Sequence, residues 1–116
     1  MIVGVQGTGS FDDYQVFLRA IGVALSNLTD QDQNFYIYSA GPANINSMVS
    51  EFVNLSERSM KSRGKKIKMY KVAPSWISEN FEEFNYFAFL SKQNEQKTKL
   101  VYEAQEKNIE TGIFNY

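Results

Sequence analysis

The run Tyr86-Phe87-Ala88-Phe89-Leu90 contains no polar residue at alternate positions. A strand with one wet face alternates apolar and polar residues, whereas a strand covered on both faces does not. Ile2-Val3-Gly4-Val5, near the start of the chain, has the same character. Two strands of this kind call for helices on both faces of a sheet, and the rest of the chain supplies them. Phe17, Ile21, Leu25 and Leu28 recur at helical spacing, which predicts a helix from Asp13 to about Leu28. Tyr14 and Leu18 widen its stripe, and Gly22 would let it lie close to the sheet. Phe35-Tyr36-Ile37-Tyr38 reads as the second strand. A second helix, to about Ser59, would turn Met48, Val49, Phe52, Val53 and Leu55 inward.

Ile67, Met69, Tyr70 and Val72 alternate in part with Lys66, Lys68 and Lys71, the pattern of an edge strand with a wet face. A short helix is expected over Ser78–Phe84, with Trp76, Phe81 and Phe84 as core. Leu100, Val101 and Ala104 mark a last helix that Asn108 would end, before a final strand at Ile109–Phe114. Strands alternating with helices define an α/β fold of three layers with right-handed connections. The expected sheet is five-stranded and parallel, in the order 3-2-1-4-5. At 116 residues the expectation is one domain, 1–116.

The chain has neither Cys nor His. Disulfides, thiol nucleophiles, Cys/His zinc sites and histidine bases are therefore excluded, and neither a metal nor a cofactor is expected. Net charge is −1, so no global field draws the chain to nucleic acid or to a membrane. Met1 leads directly into a strand without a basic, apolar leader, and no stretch has the length of a membrane span. These features give an expectation of a cytoplasmic protein. Seven of the twelve basic residues fall between Arg58 and Lys71. Such a run serves either as a nucleic-acid patch or as a solvated turn whose cations favour a helix C-terminus. The solvated reading is the commoner one, so nucleic acid is not an expected partner.

The first strand runs into Gly7-Thr8-Gly9-Ser10-Phe11, followed by Asp12-Asp13. Ser10 precedes Asp13 by three, the spacing of a helix start. Glycines followed by a helix N-terminus can hold phosphate or carboxylate. The same residues serve equally well as a tight turn with nothing bound. The third glycine of a dinucleotide fingerprint and the Gly-Lys-Ser/Thr of a P-loop are both missing. Ser39-Ala40-Gly41-Pro42-Ala43-Asn44 follows the second strand, with Asn44 or Asn46 as helix cap. Ser91 to Thr98 follows the fourth strand, with Lys97 and Thr98 at its end. All three loops leave the carboxyl ends of strands, where ligands bind in open α/β sheets. The candidate ligand-binding residues are Gly7, Thr8, Gly9, Ser10, Phe11, Ser39, Gly41, Pro42, Asn44, Lys97 and Thr98. Gly9 is the position expected to resist a side chain, and Lys97 is a usable point charge for phosphate.

The layout resembles a small member of the SLOG superfamily, nearest its YspA/YpsA-related branch. The resemblance rests on Gly-Thr-Gly-Ser-Phe-Asp-Asp after the first strand and Tyr-Ser-Ala-Gly-Pro-Ala-Asn after the second. It extends through Phe87-Ala-Phe-Leu-Ser91, Lys97-Thr98, Glu103-Ala104 and Ile109-Glu-Thr-Gly-Ile. It implies a Rossmann-like fold that binds a nucleotide or nucleotide-derived ligand. Members that hydrolyse N-glycosidic bonds carry Pro-Gly-Gly-x-Gly-Thr-x-x-Glu in the later loop. Here that place holds Gln93-Asn94-Glu95-Gln96-Lys97-Thr98, with Val101 three beyond Thr98. The glycines and the catalytic glutamate of that motif are absent, so a binding module is the first expectation.

An enzyme acting on a nucleotide or nucleoside, with Asp12 or Asp13 as acid/base, is the second; no catalytic residue is assigned. A phage or mobile-element interaction protein that has lost its ligand is the third, and it would place the chain in the host cytoplasm. A homodimer through Tyr14, Trp76, Phe81 and Tyr102 is expected on aromatic content.

Overall fold

The computed structural model describes residues 1–115. In chain order the elements are β1 (Ile2–Gly7), α1 (Tyr14–Leu25), β2 (Asn34–Ser39), α2 (Ala43–Ser62) and β3 (Lys66–Lys71). They continue with α3 (Pro74–Glu79), a 3-10 turn at Phe81–Glu83, β4 (Tyr86–Ser91), α4 (Lys99–Glu106) and β5 (Thr111–Asn115). The five strands form one sheet in the order β3-β2-β1-β4-β5, every pair parallel. Leftward crossovers through α1 and α2 and a rightward one through α4 put helices on opposite faces, as crossovers of a single hand require.

Strand periodicity divides the core in two. Val3, Val5, Phe35, Ile37, Tyr86, Ala88 and Leu90 face the layer that contains Phe17, Ile21 and Val49. Phe87 and Phe89 face Ile77, Phe81, Phe84, Leu100 and Val101. All six residues of β4 are buried, as its unbroken apolar run requires. β3 alternates at an edge and exposes Lys66, Lys68 and Tyr70.

Several local expectations are corrected. α1 begins at Tyr14 and ends at Leu25, because Asp13 rather than Ser10 caps it, its carboxylate accepting from the Val16 N–H at 3.1 Å. Gly22 is exposed with open space beside it, so it does not bring the helix to the sheet. Pro42 takes the N-cap place of α2, with no side-chain cap; Asn44 and Asn46 lie inside the helix. α2 extends three residues past Ser59, and Leu55 is 70% exposed rather than inward. The helix expected at Ser78 starts at Pro74, whose fixed φ and missing N–H suit a first turn. Phe81 is fully buried and so cannot belong to a dimer patch with Tyr102, which is 51% exposed. Asn108, at φ +58°, does end α4, and the Ile109 N–H closes onto the Ala104 carbonyl at 3.0 Å.

The basic turn is only partly solvated. Lys65 is 9% exposed. Its ammonium donates to the carbonyls of Thr29 at 2.8 Å and Asp32 at 2.5 Å. Lys65 thus ties the 29–32 loop to the start of β3, and Lys65→Ala would leave two carbonyls without their donor. The expected cost is about 2 kcal/mol, read as a lowered denaturation midpoint at unchanged m-value. Lys66→Ala, on the exposed face, should fall within about 0.5 kcal/mol of wild type.

Candidate functional site

The loops at the carboxyl ends of β1, β2 and β4 meet, and hydrogen bonds hold them together. The Gly7 N–H donates to the Gly41 carbonyl at 3.1 Å, and the Thr8 N–H donates to the Leu90 carbonyl at 2.9 Å. Asn44 Nδ2 reaches from the first turn of α2 to the Thr8 carbonyl at 3.0 Å and the Phe11 carbonyl at 2.7 Å. Ser39 is fully buried, and its hydroxyl donates to Asn46 Oδ1 at 2.5 Å. Gly41 has φ +84° and is followed by a cis bond to Pro42, which is exposed. Phe11 is 1% exposed and packs in the core. Ser39, Asn44 and Phe11 therefore brace the converging loops, with their polar atoms or rings turned into the fold.

Within the expected anion loop the partner is the protein's own carboxylate. Glu95 Oε1 accepts from Thr8 Oγ1 at 2.8 Å and from the Lys92 N–H at 2.6 Å, while Glu95 Oε2 accepts from Ser10 Oγ at 2.7 Å. The Thr8 and Ser10 hydroxyls that a phosphate would use are occupied, and Asp13 caps the helix behind them. Asp13 is thus engaged as the N-cap of α1. The Ser10 hydroxyl, then the Lys92 N–H and the Thr8 hydroxyl, hold the Glu95 carboxyl below its ordinary range, against a smaller desolvation effect.

A depressed carboxyl adds stability that is present above the unfolded-state pKa and lost as pH falls through the folded-state pKa. Glu95→Gln should therefore lower the denaturation midpoint at neutral pH, and the gap to wild type should close in acid below the carboxylate range. A gap that stays constant with pH would mean that the clasp does not depend on charge.

Gly9 is exposed, has no left-handed φ, and a Cβ there would meet nothing within 4 Å. The expectation that Gly9 is the critical backbone position is corrected: Gly7 holds that place. A Cβ on Gly7 would sit 2.6 Å from the Leu90 carbonyl oxygen and 2.7 Å from Ile45 Cδ1. Lys97 is exposed on the 92–98 loop. Thr98 is the N-cap of α4, and its hydroxyl donates to Gln6 Oε1 at 2.5 Å instead of capping.

The Gln6–Thr98 contact marks the crevice between β1 and β4, where the sheet order reverses. A cavity of about 300 Å³ opens there, lined by Gln6, Pro74, Ser75, Ser78, Thr98, Lys99, Leu100 and Glu103. Its floor is Gln6, an 8% exposed polar residue whose Nε2 keeps donor capacity after Oε1 is used. On its wall Ser78 Oγ donates to Glu103 Oε2 in a short bond, and Lys99 Nζ lies 3.9 Å from Glu103 Oε1. A larger groove of about 530 Å³ runs along α2 past Ser50 and Asn54 to Lys71 at the end of β3, and it shares no residue with the crevice.

Gln6, Ser75, Ser78 and Glu103 were not among the residues expected from the sequence. The signal for Gln6 was present: it is the one polar side chain closing an otherwise apolar strand. The α3 contribution had none, because Pro74–Trp76 reads as a link leaving the sheet and the helix was expected only from Ser78.

Fold and crevice together define a doubly wound α/β domain with its opening at the topological switch point. No protein-family model matches the chain, and no curated protein or solved structure matches it. Among the described residues no helix is long and apolar enough to cross a membrane, and no group of three or more Asp or Glu could hold a metal ion.

Proposed function

We propose that this chain is a small-ligand-binding module that takes a nucleotide or nucleotide-derived molecule at the carboxyl ends of β1 and β4, without catalysis. The observation that carries the reading is the crevice floored by Gln6 at the sheet's switch point. Glu103, beside Ser78, is a carboxylate suited to accept from sugar hydroxyls, and Gln6 can donate to a base or carbonyl. Glu95 bears on the charged end. A phosphate must displace that carboxylate from Thr8 and Ser10, so the reading favours nucleosides or weakly charged nucleotides over triphosphates. The exposed cations Lys97 and Lys99 offset part of this repulsion.

A thermal-melting panel of nucleosides and nucleotides tests the proposal. A ligand at one hundred times its Kd adds roughly 2.7 kcal/mol, a shift that is readily seen. Glu103→Gln should reduce that shift. Glu95→Gln should tighten phosphate-bearing ligands and leave nucleosides unaffected. A panel in which nothing shifts the melt would defeat the reading.

A further inference from the structure

Helices cover the two faces of the sheet unevenly. α1 and α2 pack on the face that carries Val3, Val5, Phe35 and Ile37. α3 and α4 pack on the other, over Phe87 and Phe89. That second layer ends at Tyr38, on which Trp76 of α3 stacks at 4.7 Å and 11°. Beyond it, among the described residues, no helix lies over Tyr36, Lys68 or Tyr70. The register puts these side chains on one face, since Tyr36 stands opposite Lys68 and Tyr38 opposite Tyr70. The rings agree: Tyr70 stacks on Tyr38 at 4.9 Å and 19° and meets Tyr36 edge-on at 5.9 Å and 84°. Parallel sheets are covered on both faces almost without exception, so a bare half-face rich in tyrosine is unusual.

Charge divides this half-face into two flanks. On the edge side of the tyrosines, Lys66 and Lys68 are exposed. On the inner side Phe84 lies over Gly4 of β1, where a Cβ would come within 3.1 Å of its ring, and it meets Tyr38 at 5.6 Å. Its neighbour Glu83 is exposed. Burial, then the charges of Tyr70 and Glu83, push the Tyr38 phenol up, which sets Glu83 near that ring. Neither Lys68 nor Glu83 forms a salt bridge among the described residues.

We propose that a second copy of this chain covers the half-face, in a two-fold pair whose axis runs along β2 between the two sheets. Such an axis reverses the strand order across the interface, so β3 of one copy lies over β1 of the other. The tyrosines of β2 meet at the centre, and Lys68 of each copy comes opposite the partner's Glu83. An axis across the strands would instead keep the order and set lysine on lysine. Two-fold pairs are the commonest oligomers, and buried Tyr and Trp supply much of the affinity at interfaces. Of the residues expected to form a dimer, Trp76 borders this half-face, whereas Tyr14 lies on α1 and Tyr102 on α4.

Sedimentation velocity over a concentration series tests the proposal. A monomer–dimer equilibrium is expected, weakened about tenfold by Tyr70→Ala. Lys68→Glu and Glu83→Lys should each weaken it by about tenfold or more, because each sets like charges together at two places. Mixing these two variants should restore the dimer, since both contacts of the mixed pair then join opposite charges. No contact within one chain gives that result. Both positions are exposed, so each variant alone should melt as the wild-type monomer does. The proposal is overturned by a monomer up to the solubility limit, or by a mixture no more associated than its components. A dimer that these variants leave intact and Leu55→Asp or Tyr102→Ala dissociates would also overturn it, in favour of a helical interface.

Discussion

Gly7→Ala is expected to cost about 3 kcal/mol, at the upper end of overpacking penalties, and to lower Tm by roughly 10 °C. The added Cβ would meet the Leu90 carbonyl oxygen at 2.6 Å and Ile45 Cδ1 at 2.7 Å. A side chain can rotate away, but the Leu90 carbonyl is fixed by the sheet and also accepts the Thr8 N–H at 2.9 Å. Relief would come only by parting the ends of β1 and β4, where the crevice opens. The loss should therefore appear in stability and in ligand binding together. Gly9→Ala is the control, because open space surrounds that position, and its midpoint should stay within about 0.5 kcal/mol of wild type. Thermal melts of the two variants side by side decide this; equal, small effects would show that the β1–β4 junction yields.

Gly112→Ala is the second large expected loss, about 2–3 kcal/mol, and it has a specific rescue. A Cβ at Gly112 would run into the Tyr86 hydroxyl and, behind it, the Phe114 ring. Tyr86 is 2% exposed, and its hydroxyl is buried without a hydrogen-bond partner among the described residues. Burial, with a smaller contribution from Glu110, pushes that phenol up to about 12. An unpaired buried hydroxyl is costly, so Tyr86→Phe alone should be neutral or stabilising. Combined with Gly112→Ala, it should recover half or more of the loss. Denaturant melts of the two single variants and the double variant give the coupling directly, and strict additivity would place the clash elsewhere.

The sheet was legible because its signals are redundant. β4 lacks polar alternation, β3 alternates with lysines, and the linking stretches carry helical periodicity, so strand order follows from handedness and burial. The meeting of the three loops was legible, but the partners of their side chains were not. Thr8 and Ser10 do converge with the 92–98 loop, but their partner is Glu95, 85 or more residues away in sequence. No local spacing encodes such a contact.

Gly7 and Gly9 look alike in the sequence; only the approach of Leu90 and Ile45 distinguishes them. Lys65 and Lys66 are neighbours of one type, yet strand alternation buries the first and exposes the second. Leu55 is 70% exposed because it lies to one side of the stripe that Ile45, Val49 and Met60 bury, at the margin of the helix face.

Backbone amide shifts of isotope-labelled protein, titrated with adenosine and with its monophosphate, test ligand binding at the switch-point crevice most directly. Binding there should move Gln6, Gly7 and Thr8, Ser75 to Ser78, and Thr98 to Glu103. The monophosphate should also move Ser10 and Glu95 as the carboxylate is displaced. Shifts confined to β3 and α2, or none up to the solubility limit of either ligand, would contradict a nucleotide-type site at the β1–β4 crevice.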